Sequence, residues 1–169
     1  MLKKIEKNKG DIAEVGVYKG GSAKLIRQAT EKKLHLFDTF EGLPDTSLKD
    51  NQKKLKKGEL YASLEDVRNY LANFPNIYFY KGPFPSTSGP VADKKFSFVH
   101  LDVDLYESTL DCLKFFYPRI NQGGIIISHN YSDLDGVRKA FDEFFEDKPE
   151  IIIEPVGTSQ ALVIKVEAV

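Results

Sequence analysis

Two carboxylates stand one residue apart in "SFVHLDVDLYEST", where a short apolar run ends. They belong to Asp102 and Asp104. A buried charge without a partner is unfavourable, so a carboxylate at the end of a buried strand indicates that something there binds it. We expect Asp102 to face that site. For Asp104 we favour a simpler role as the cap of a helix that starts near Tyr106.

A glycine-rich turn follows the first strand-like run, in "AEVGVYKGGSA". It contains Gly16, Gly20 and Gly21, and Ser22 then opens a helical stretch. Glycine lets the backbone approach a ligand closely, and a helix N-terminus offers free N–H donors. The spacing departs from the G-x-G-x-x-G pattern, which argues against a dinucleotide. Glu14, inside the strand, either holds loop amides as a buried glutamate or binds a cationic amino group.

An acidic residue also ends the second strand-like run, "LHLFDTF", at Asp38. In nucleoside-binding α/β folds, an acid at this place accepts hydrogen bonds from ribose hydroxyls. The alternative is an aspartate that only shapes a turn or caps a helix. Beside the glycine turn, we favour the ribose-binding role.

The elements that must position these residues alternate along the chain. Strand-like runs cover 11–17, 34–40, 76–82, 96–102 and 123–128, and helical stretches cover 20–33, 63–74, 106–120 and 134–147. Ser63 and Asp66 are spaced as a capping box, which predicts that the second helix starts at Ser63. Two last apolar runs, 150–156 and 160–166, are separated by a short turn and predict an antiparallel hairpin. The alternation predicts a Rossmann-like α/β fold with a mostly parallel, seven-stranded sheet and helices on both faces. Ligands of such sheets bind beyond the carboxyl ends of the strands.

Composition narrows the classes of function. The chain has 169 residues, 41% of them hydrophobic and 29% charged, which predicts one globular domain over 1–169. A net charge of -1 argues against a nucleic-acid partner. No apolar run approaches the roughly 20 residues of a membrane span. The chain has a single cysteine, Cys112, which we expect to be an inert packing residue. One cysteine excludes an internal disulfide, so we expect a cytoplasmic protein.

Several blocks of the sequence together resemble the macrocin O-methyltransferase (TylF-like) family. The blocks are "GDIAEVGVYKGGSA", "FDTFEGLP", "KGPFPST", "HLDVDLYESTLDCLKFFYPRINQGGIII" and the following "NY". They run in order from about Gly10 to Phe145, and the glycine turn is also similar, more distantly, to that of catechol O-methyltransferases. The resemblance implies a Rossmann-like methyltransferase fold. It also implies S-adenosylmethionine as cofactor, usually with a divalent cation, and methylation of sugar or natural-product hydroxyls.

The resemblance also implies roles for individual residues. The cofactor-binding positions that it implies are Glu14, Gly16, Tyr18, Gly20, Ser22, Asp38, Gly82, Phe84 and Asp102. The glycine turn would hold the methionine part of the cofactor, Asp38 the ribose, and the loop at Gly82 and Phe84 the adenine. Asp102 matches the first metal ligand of the family, and His129 and Asn130 occupy the places of the other two.

One departure from the family leaves undecided whether a metal binds and which metal it is. Relatives usually carry "DDY" where this chain has "HNY", and imidazole is a poor ligand for Mg²⁺. Mn²⁺, Fe²⁺ or Zn²⁺ would suit Asp102, His129 and Asn130 better, or no metal binds. With a metal, His129 is a ligand, and Asp102 is a ligand and a candidate base. Without one, His129 is the candidate base and Asp102 or Asp104 orients it.

We therefore expect an S-adenosylmethionine-dependent O-methyltransferase whose acceptor is a sugar or small secondary metabolite. The first alternative is a protein that keeps the cofactor pocket but has lost catalysis, and the second is a nucleotide-dependent oxidoreductase, which the glycine spacing disfavours. A lysine-rich stretch could cover the site and favour an acidic acceptor, although such lysines usually form a solvated face; its lysines are Lys49, Lys53, Lys54, Lys56 and Lys57. The oligomeric state is open, and a homo-oligomer is compatible with the sequence.

Overall fold

A computed structural model describes residues 7–50 and 55–167. Its strands are β1 (Asp11–Val15), β2 (Leu34–Asp38), β3 (Ile77–Lys81), β4 (Phe96–Leu101), β5 (Ile120–Ser128) and β6 (Ala161–Ile164). Its α-helices are α1 (Gly21–Ala29), α2 (Leu64–Tyr70), α3 (Tyr106–Phe116) and α4 (Asp135–Phe145), and short 3-10 turns cover Gly89–Val91 and Tyr117–Arg119. None of the helices in the described residues is long and apolar enough to cross a membrane.

The strands form a sheet in the order β3-β2-β1-β4-β5-β6. The first five are parallel, and β6 runs antiparallel to β5. This confirms the Rossmann-like prediction. Strands β2 and β3 lie on one side of β1, whereas β4 and β5 lie on its other side. The strand order therefore reverses between β1 and β4, and a crevice opens at the carboxyl ends of these two strands.

Two apolar clusters, one on each face, hold the helices against the sheet. On one face α3 and α4 contribute Phe116 and Phe141, and on the other α1 and α2 contribute Ile26 and Val67. All six residues of β4 are buried, as expected for a central strand covered on both faces. Helix α2 starts at the predicted cap, because the Ser63 hydroxyl accepts a hydrogen bond from the Asp66 N–H at 3.1 Å.

The predicted hairpin is only half formed, so the described sheet has six strands instead of seven. Its second arm is β6, but over 150–156 only Ile153 pairs, exchanging two 2.9 Å backbone hydrogen bonds with Leu162. Pro155 has no N–H to donate to a ladder. Ile151 and Val156 are largely exposed. A run of apolar residues without a neighbouring strand or buried face therefore does not extend into a strand.

Candidate active site

A cavity of about 290 Å³ opens at the carboxyl ends of β1, β2, β4 and β5. Eight predicted site residues line it: Gly16, Tyr18, Asp38, Gly82, Phe84, Asp102, His129 and Asn130. Residues that the sequence did not single out also contribute, among them Thr39, Leu43, Pro44, Leu60, Val103 and Ser108. The fold thus brings most of the predicted positions to one crevice.

Gly16 lets the ends of β1 and β4 touch. Its φ is +84°, and a Cβ there would lie 1.9 Å from the carbonyl oxygen of Asp102. The N–H of Asp102 in turn donates to the carbonyl of Val15 at 2.9 Å. No side chain fits between these backbones, so the glycine keeps the turn after β1 next to Asp102.

Asp38 shapes the glycine turn from inside the cavity. Its Oδ2 accepts hydrogen bonds from the N–H groups of Val17 at 2.6 Å and Tyr18 at 3.0 Å. Its Oδ1 accepts one from Phe40 at 2.7 Å. Asp38 therefore shapes the turn, as the alternative prediction stated. A ribose hydroxyl that bound to this carboxylate would share it with three backbone N–H donors.

Three predicted cofactor-binding residues, Glu14, Gly20 and Ser22, do not line the cavity. Glu14 is fully buried, and its Oε1 lies 2.9 Å from Nδ1 of His100, the residue opposite it on β4. Among the described residues, its Oε2 has no hydrogen-bond partner. Glu14 thus contacts neither the loop amides nor the cavity, and His100 is a buried histidine that is hydrogen-bonded to it. Gly20 packs against α2, with Val67 as its nearest neighbour.

An aromatic wall closes the end of the cavity away from Asp102. Phe84 stacks on Phe116 with ring centroids 5.3 Å apart and meets Phe37 edge-on at 5.3 Å. Gly82 precedes it at φ +136°. Cys112 lies in the same wall, and burial raises the pKa of its thiol well above the ordinary value. The wall therefore offers an apolar slot for a flat ring, and Cys112 is confirmed as a packing residue.

Four polar side chains meet at the opposite end, where β4 and β5 finish. Nδ1 of His129 lies 3.1 Å from Oδ1 of Asp102, and Nδ2 of Asn130 donates to Oδ1 of Asp104 at 2.7 Å. The His129 N–H also donates to the Leu101 carbonyl at 2.8 Å, which continues the parallel pairing of the two strands. Parallel pairing therefore places the two side-chain pairs together at one edge of the sheet.

Asp104 does not cap α3, so that prediction is wrong. The cap position is Leu105, which makes no side-chain hydrogen bond, and the N–H of Tyr106 instead donates to Oδ1 of Asp50 at 2.7 Å. Asp104 is only 5% exposed, has φ +58° and points into the cavity. A helix cap directly precedes the first helical residue. Asp104, two residues before Tyr106, is one residue too early.

The local environment raises the pKa of two of these groups. Burial, helped by the nearby charge of Asp102, raises the pKa of Asp104 to about 6. The hydrogen bond with Asp102 raises the pKa of His129, and the charges of Asp102 and Asp104 act in the same direction. Asp104 therefore exchanges its proton closer to neutral pH than an ordinary carboxyl does, and His129 holds its proton more tightly than an ordinary imidazole does.

The predicted metal ligands form hydrogen bonds with other side chains of the site. Asp102 faces the imidazole of His129, and the amide nitrogen of Asn130 is turned toward Asp104. Among the described residues, no three His, Cys, Asp or Glu side chains are arranged to hold a metal ion. One paired carboxylate, one imidazole and one amide are a poor set for Mg²⁺, which requires octahedral oxygen ligands.

The segment between β2 and α2 covers the cavity with apolar side chains. Leu43, Pro44 and Leu60 face the cavity, and backbone hydrogen bonds join Leu43 to Gly58 at 2.9 Å and to Glu59 at 2.8 Å. Two of the lysines contact groups outside the cavity: Nζ of Lys49 lies 3.7 Å from the Tyr106 ring centroid, and Lys57 pairs with Asp45 at 2.7 Å. Lys53 and Lys54 lie outside the described residues. The expectation of an acidic acceptor therefore has no support from Lys49 or Lys57.

Comparison with known proteins gives consistent matches. The model of the macrocin O-methyltransferase (TylF) family matches residues 2–158. An alignment of 154 residues, which covers 80% of this chain, gives 32% identity to 8-demethyl-8-(2,3-dimethoxy-alpha-L-rhamnosyl)-tetracenomycin-C 4'-O-methyltransferase of Streptomyces olivaceus. A second alignment, of 151 residues, also covers 80% of this chain and gives 29% identity to demethyldecarbamoylnovobiocin O-methyltransferase of Streptomyces niveus. It covers 58% of each of these relatives.

Solved structures share the same fold. The O-methyltransferase NovP superposes with a TM-score of 0.82 at 27% identity, over 98% of this chain and 79% of NovP. The similarity thus extends over nearly the whole described sheet, its helices and the cavity between them.

Proposed function

Because the chain belongs to the macrocin O-methyltransferase (TylF) family, we propose that it transfers the methyl group of S-adenosylmethionine to a hydroxyl of a sugar or another small natural product. The observation that carries the proposal is one cavity that is lined by the apolar Phe84, by Asp38 and by the paired side chains of Asp102 and His129. Its named relatives act on a rhamnosyl tetracenomycin and on a novobiocin precursor. We further propose that the acceptor is a glycosylated small molecule and that the protein works in the cytoplasm.

The cavity suits the cofactor in its shape and in its donors. We infer that the apolar wall at Phe84 packs against the adenine ring, that Asp38 binds the ribose, and that the turn at Gly16, which lies directly against the Asp102 backbone, holds the methionine part. S-adenosylmethionine supplies an electrophilic methyl carbon on its sulfonium. The remaining requirement is a hydroxyl oxygen held in line with that carbon and relieved of its proton.

We assign proton removal to His129. Its Nδ1 is held by Asp102, its side chain is 38% exposed and lines the cavity, and no hydrogen bond to Nε2 is formed among the described residues. The acceptor O–H proton would move to Nε2 as the new O–CH₃ bond forms and the methyl–sulfur bond breaks, with S-adenosylhomocysteine as the leaving group, and Asp102 would stabilise the resulting imidazolium. Asp104 lies deeper and is bonded to Asn130. In its ionised form it accepts a hydrogen bond from the acceptor and orients it.

Calorimetry with S-adenosylhomocysteine tests the binding half of the proposal. We expect saturable one-site binding by the wild-type chain, weakened by Phe84→Ala but not by Asp45→Asn, an exposed carboxylate away from the cavity. Mass spectrometry then follows methyl transfer to methyl α-L-rhamnopyranoside, methyl α-D-glucopyranoside and catechol. No binding at high micromolar concentration would overturn the proposal.

The role of a cation is tested separately. Because the ligand set suits Mg²⁺ poorly, we expect methyl transfer to survive dialysis against EDTA and not to increase when Mg²⁺ is added back. Loss of activity in EDTA that Mn²⁺, Fe²⁺ or Zn²⁺ restores would instead assign His129 as a ligand.

A second candidate function rests on the same departure from the family. A chain with one paired carboxylate, an imidazole and an amide at this place could bind the cofactor without catalysing transfer. This candidate predicts normal S-adenosylhomocysteine binding together with no methylation of any acceptor, with or without added metal. Transfer above the uncatalysed background to any of the three acceptors excludes it.

A further inference from the structure

Helix α3 takes its N-terminal cap from a distant part of the chain. Leu105, at the cap position, offers no side-chain acceptor, and the N–H of Tyr106 donates to Oδ1 of Asp50 at 2.7 Å. An acidic group also interacts favourably with the positive end of a helix dipole. Asp50 lies between β2 and α2, 56 residues before Tyr106, so this cap ties that segment to the start of α3.

Asp50 is itself rigidly held. It is 9% exposed, and its Oδ2 accepts hydrogen bonds from the N–H and hydroxyl of Ser47 at 2.8 and 2.7 Å. Gly136, near the start of α4, makes room for it, because a Cβ there would lie 2.7 Å from Oδ1 of Asp50. Neighbouring Lys49 covers the ring of Tyr106. The carboxylate is thus fixed by its own turn and fills a space shaped for it.

The turn that Asp50 supports carries Asp104 in an unfavourable backbone conformation. Asp104 has φ +58°, and the N–H of Leu105 donates back to the carbonyl of Val103 at 2.7 Å, closing a three-residue turn around it. Asn130, its side-chain partner, also has a positive φ of +55°. Such conformations persist only where the surroundings hold them. Here Asn130 holds one side of the turn, and Asp50 holds the other through Tyr106.

We propose that Asp50 is a positioning residue, which acts through the N-terminus of α3 to keep the Asp104 carboxylate in the cavity. The inference rests on the proposed function only in assuming that Asp104 orients an acceptor. Removing the cap frees the Tyr106 N–H and loosens the turn, so Asp104 leaves its left-handed conformation while the cofactor slot, built from other segments, stays intact.

The variants Asp50→Ala and Asp50→Asn test this, with Asp45→Asn as the matched control on the same segment. With methyl α-L-rhamnopyranoside as acceptor, we expect Asp50→Ala to lower kcat about tenfold or more, since displacement by about 1 Å can cost up to 100-fold. The S-adenosylhomocysteine affinity should stay within about twofold of wild type. Asp50→Asn keeps a side-chain oxygen acceptor and should recover most of kcat, and Asp45→Asn should match wild type. Equal losses in kcat and in cofactor affinity would indicate general unfolding and overturn the proposal.

A double-mutant cycle and a crystal structure complete the test. If Asp50 acts through Asp104, Asp50→Ala should cost little further activity in an Asp104→Asn background. An independent, multiplying loss would overturn the proposal. A crystal structure of Asp50→Ala with S-adenosylhomocysteine needs no turnover: Asp104 should leave positive φ, and an unmoved Asp104 would refute the inference. If wild type methylates nothing, the proposed function fails, yet this structure still decides the role of Asp50.

Discussion

Replacing Asp104 by asparagine should stabilise the protein while impairing methyl transfer. Burial raises the pKa of Asp104 from its ordinary value of 3.8 to about 6. Each unit of pKa corresponds to about 1.4 kcal/mol, so ionising this carboxyl costs the folded state about 3 kcal/mol. Asparagine carries no charge, tolerates a positive φ and keeps an oxygen for the Asn130 amide. We expect Asp104→Asn to raise the free energy of unfolding at pH 8 by up to about 3 kcal/mol.

The sign of the pH dependence follows from the direction of the shift. Between about pH 4 and 6 the folded state binds more protons at Asp104 than the unfolded state, so stability falls as pH rises through this window. The loss is complete above about pH 7, and the variant lacks it. Wild type and Asp104→Asn should therefore have equal stability near pH 4 and differ most above pH 7.

Urea denaturation followed by fluorescence or circular dichroism at pH 4, 6 and 8 measures these differences. Tyrosine fluorescence is suitable, since the chain has eight tyrosines and no tryptophan. The measurement at pH 4 is an internal control, because Asp104 is protonated there in wild type. Equal stabilities at pH 8, or a variant less stable than wild type, would refute the argument that burial disfavours the Asp104 charge.

Three further variants test separate parts of the site. Gly16→Ala places a Cβ 1.9 Å from the Asp102 carbonyl at φ +84°, so calorimetry should find no S-adenosylhomocysteine binding; wild-type affinity would contradict the close approach. Glu14→Gln should leave that affinity within about twofold, because its carboxylate faces His100 and not the cavity; a tenfold loss would indicate direct cofactor contact. His129→Asn should lower kcat by about 10²-fold or more with unchanged cofactor affinity. Because the base must be neutral, wild-type kcat should rise as pH increases through the raised pKa of His129. A kcat that does not change with pH would argue against His129 as the base.

The sequence predicted the crevice and most of its lining because the relevant signals are local. Glycine spacing after β1, an acid at the end of β2 and carboxylates at the end of β4 are each visible within a few residues. Parallel strands bring their carboxyl ends to one edge, so Asp38, Asp102 and His129 had to meet. The predicted cap of α2 at Ser63 depends on residues only three apart and was also confirmed.

The remaining features depend on contacts between distant residues. The cap of α3 comes from Asp50, which lies 56 residues before Tyr106, so no local signal in the sequence indicates it. The pairing of Glu14 with His100 depends on the register of β1 against β4, which the sequence does not encode locally. The unpaired run before β6 looks like a strand by composition, but it lacks a partner along most of its length.

In the segment between β2 and α2, the Leu43 N–H donates to the Glu59 carbonyl, and the Gly58 N–H donates to the Leu43 carbonyl. These two hydrogen bonds bring the ends of the segment together. A loop with joined ends can change its length at a closure cost that grows slowly with the number of residues. We therefore expect that a replacement loop from a relative, spliced at these two points and retaining an aspartate at the place of Asp50, would exchange the proposed acceptor range without rebuilding the cavity beneath it.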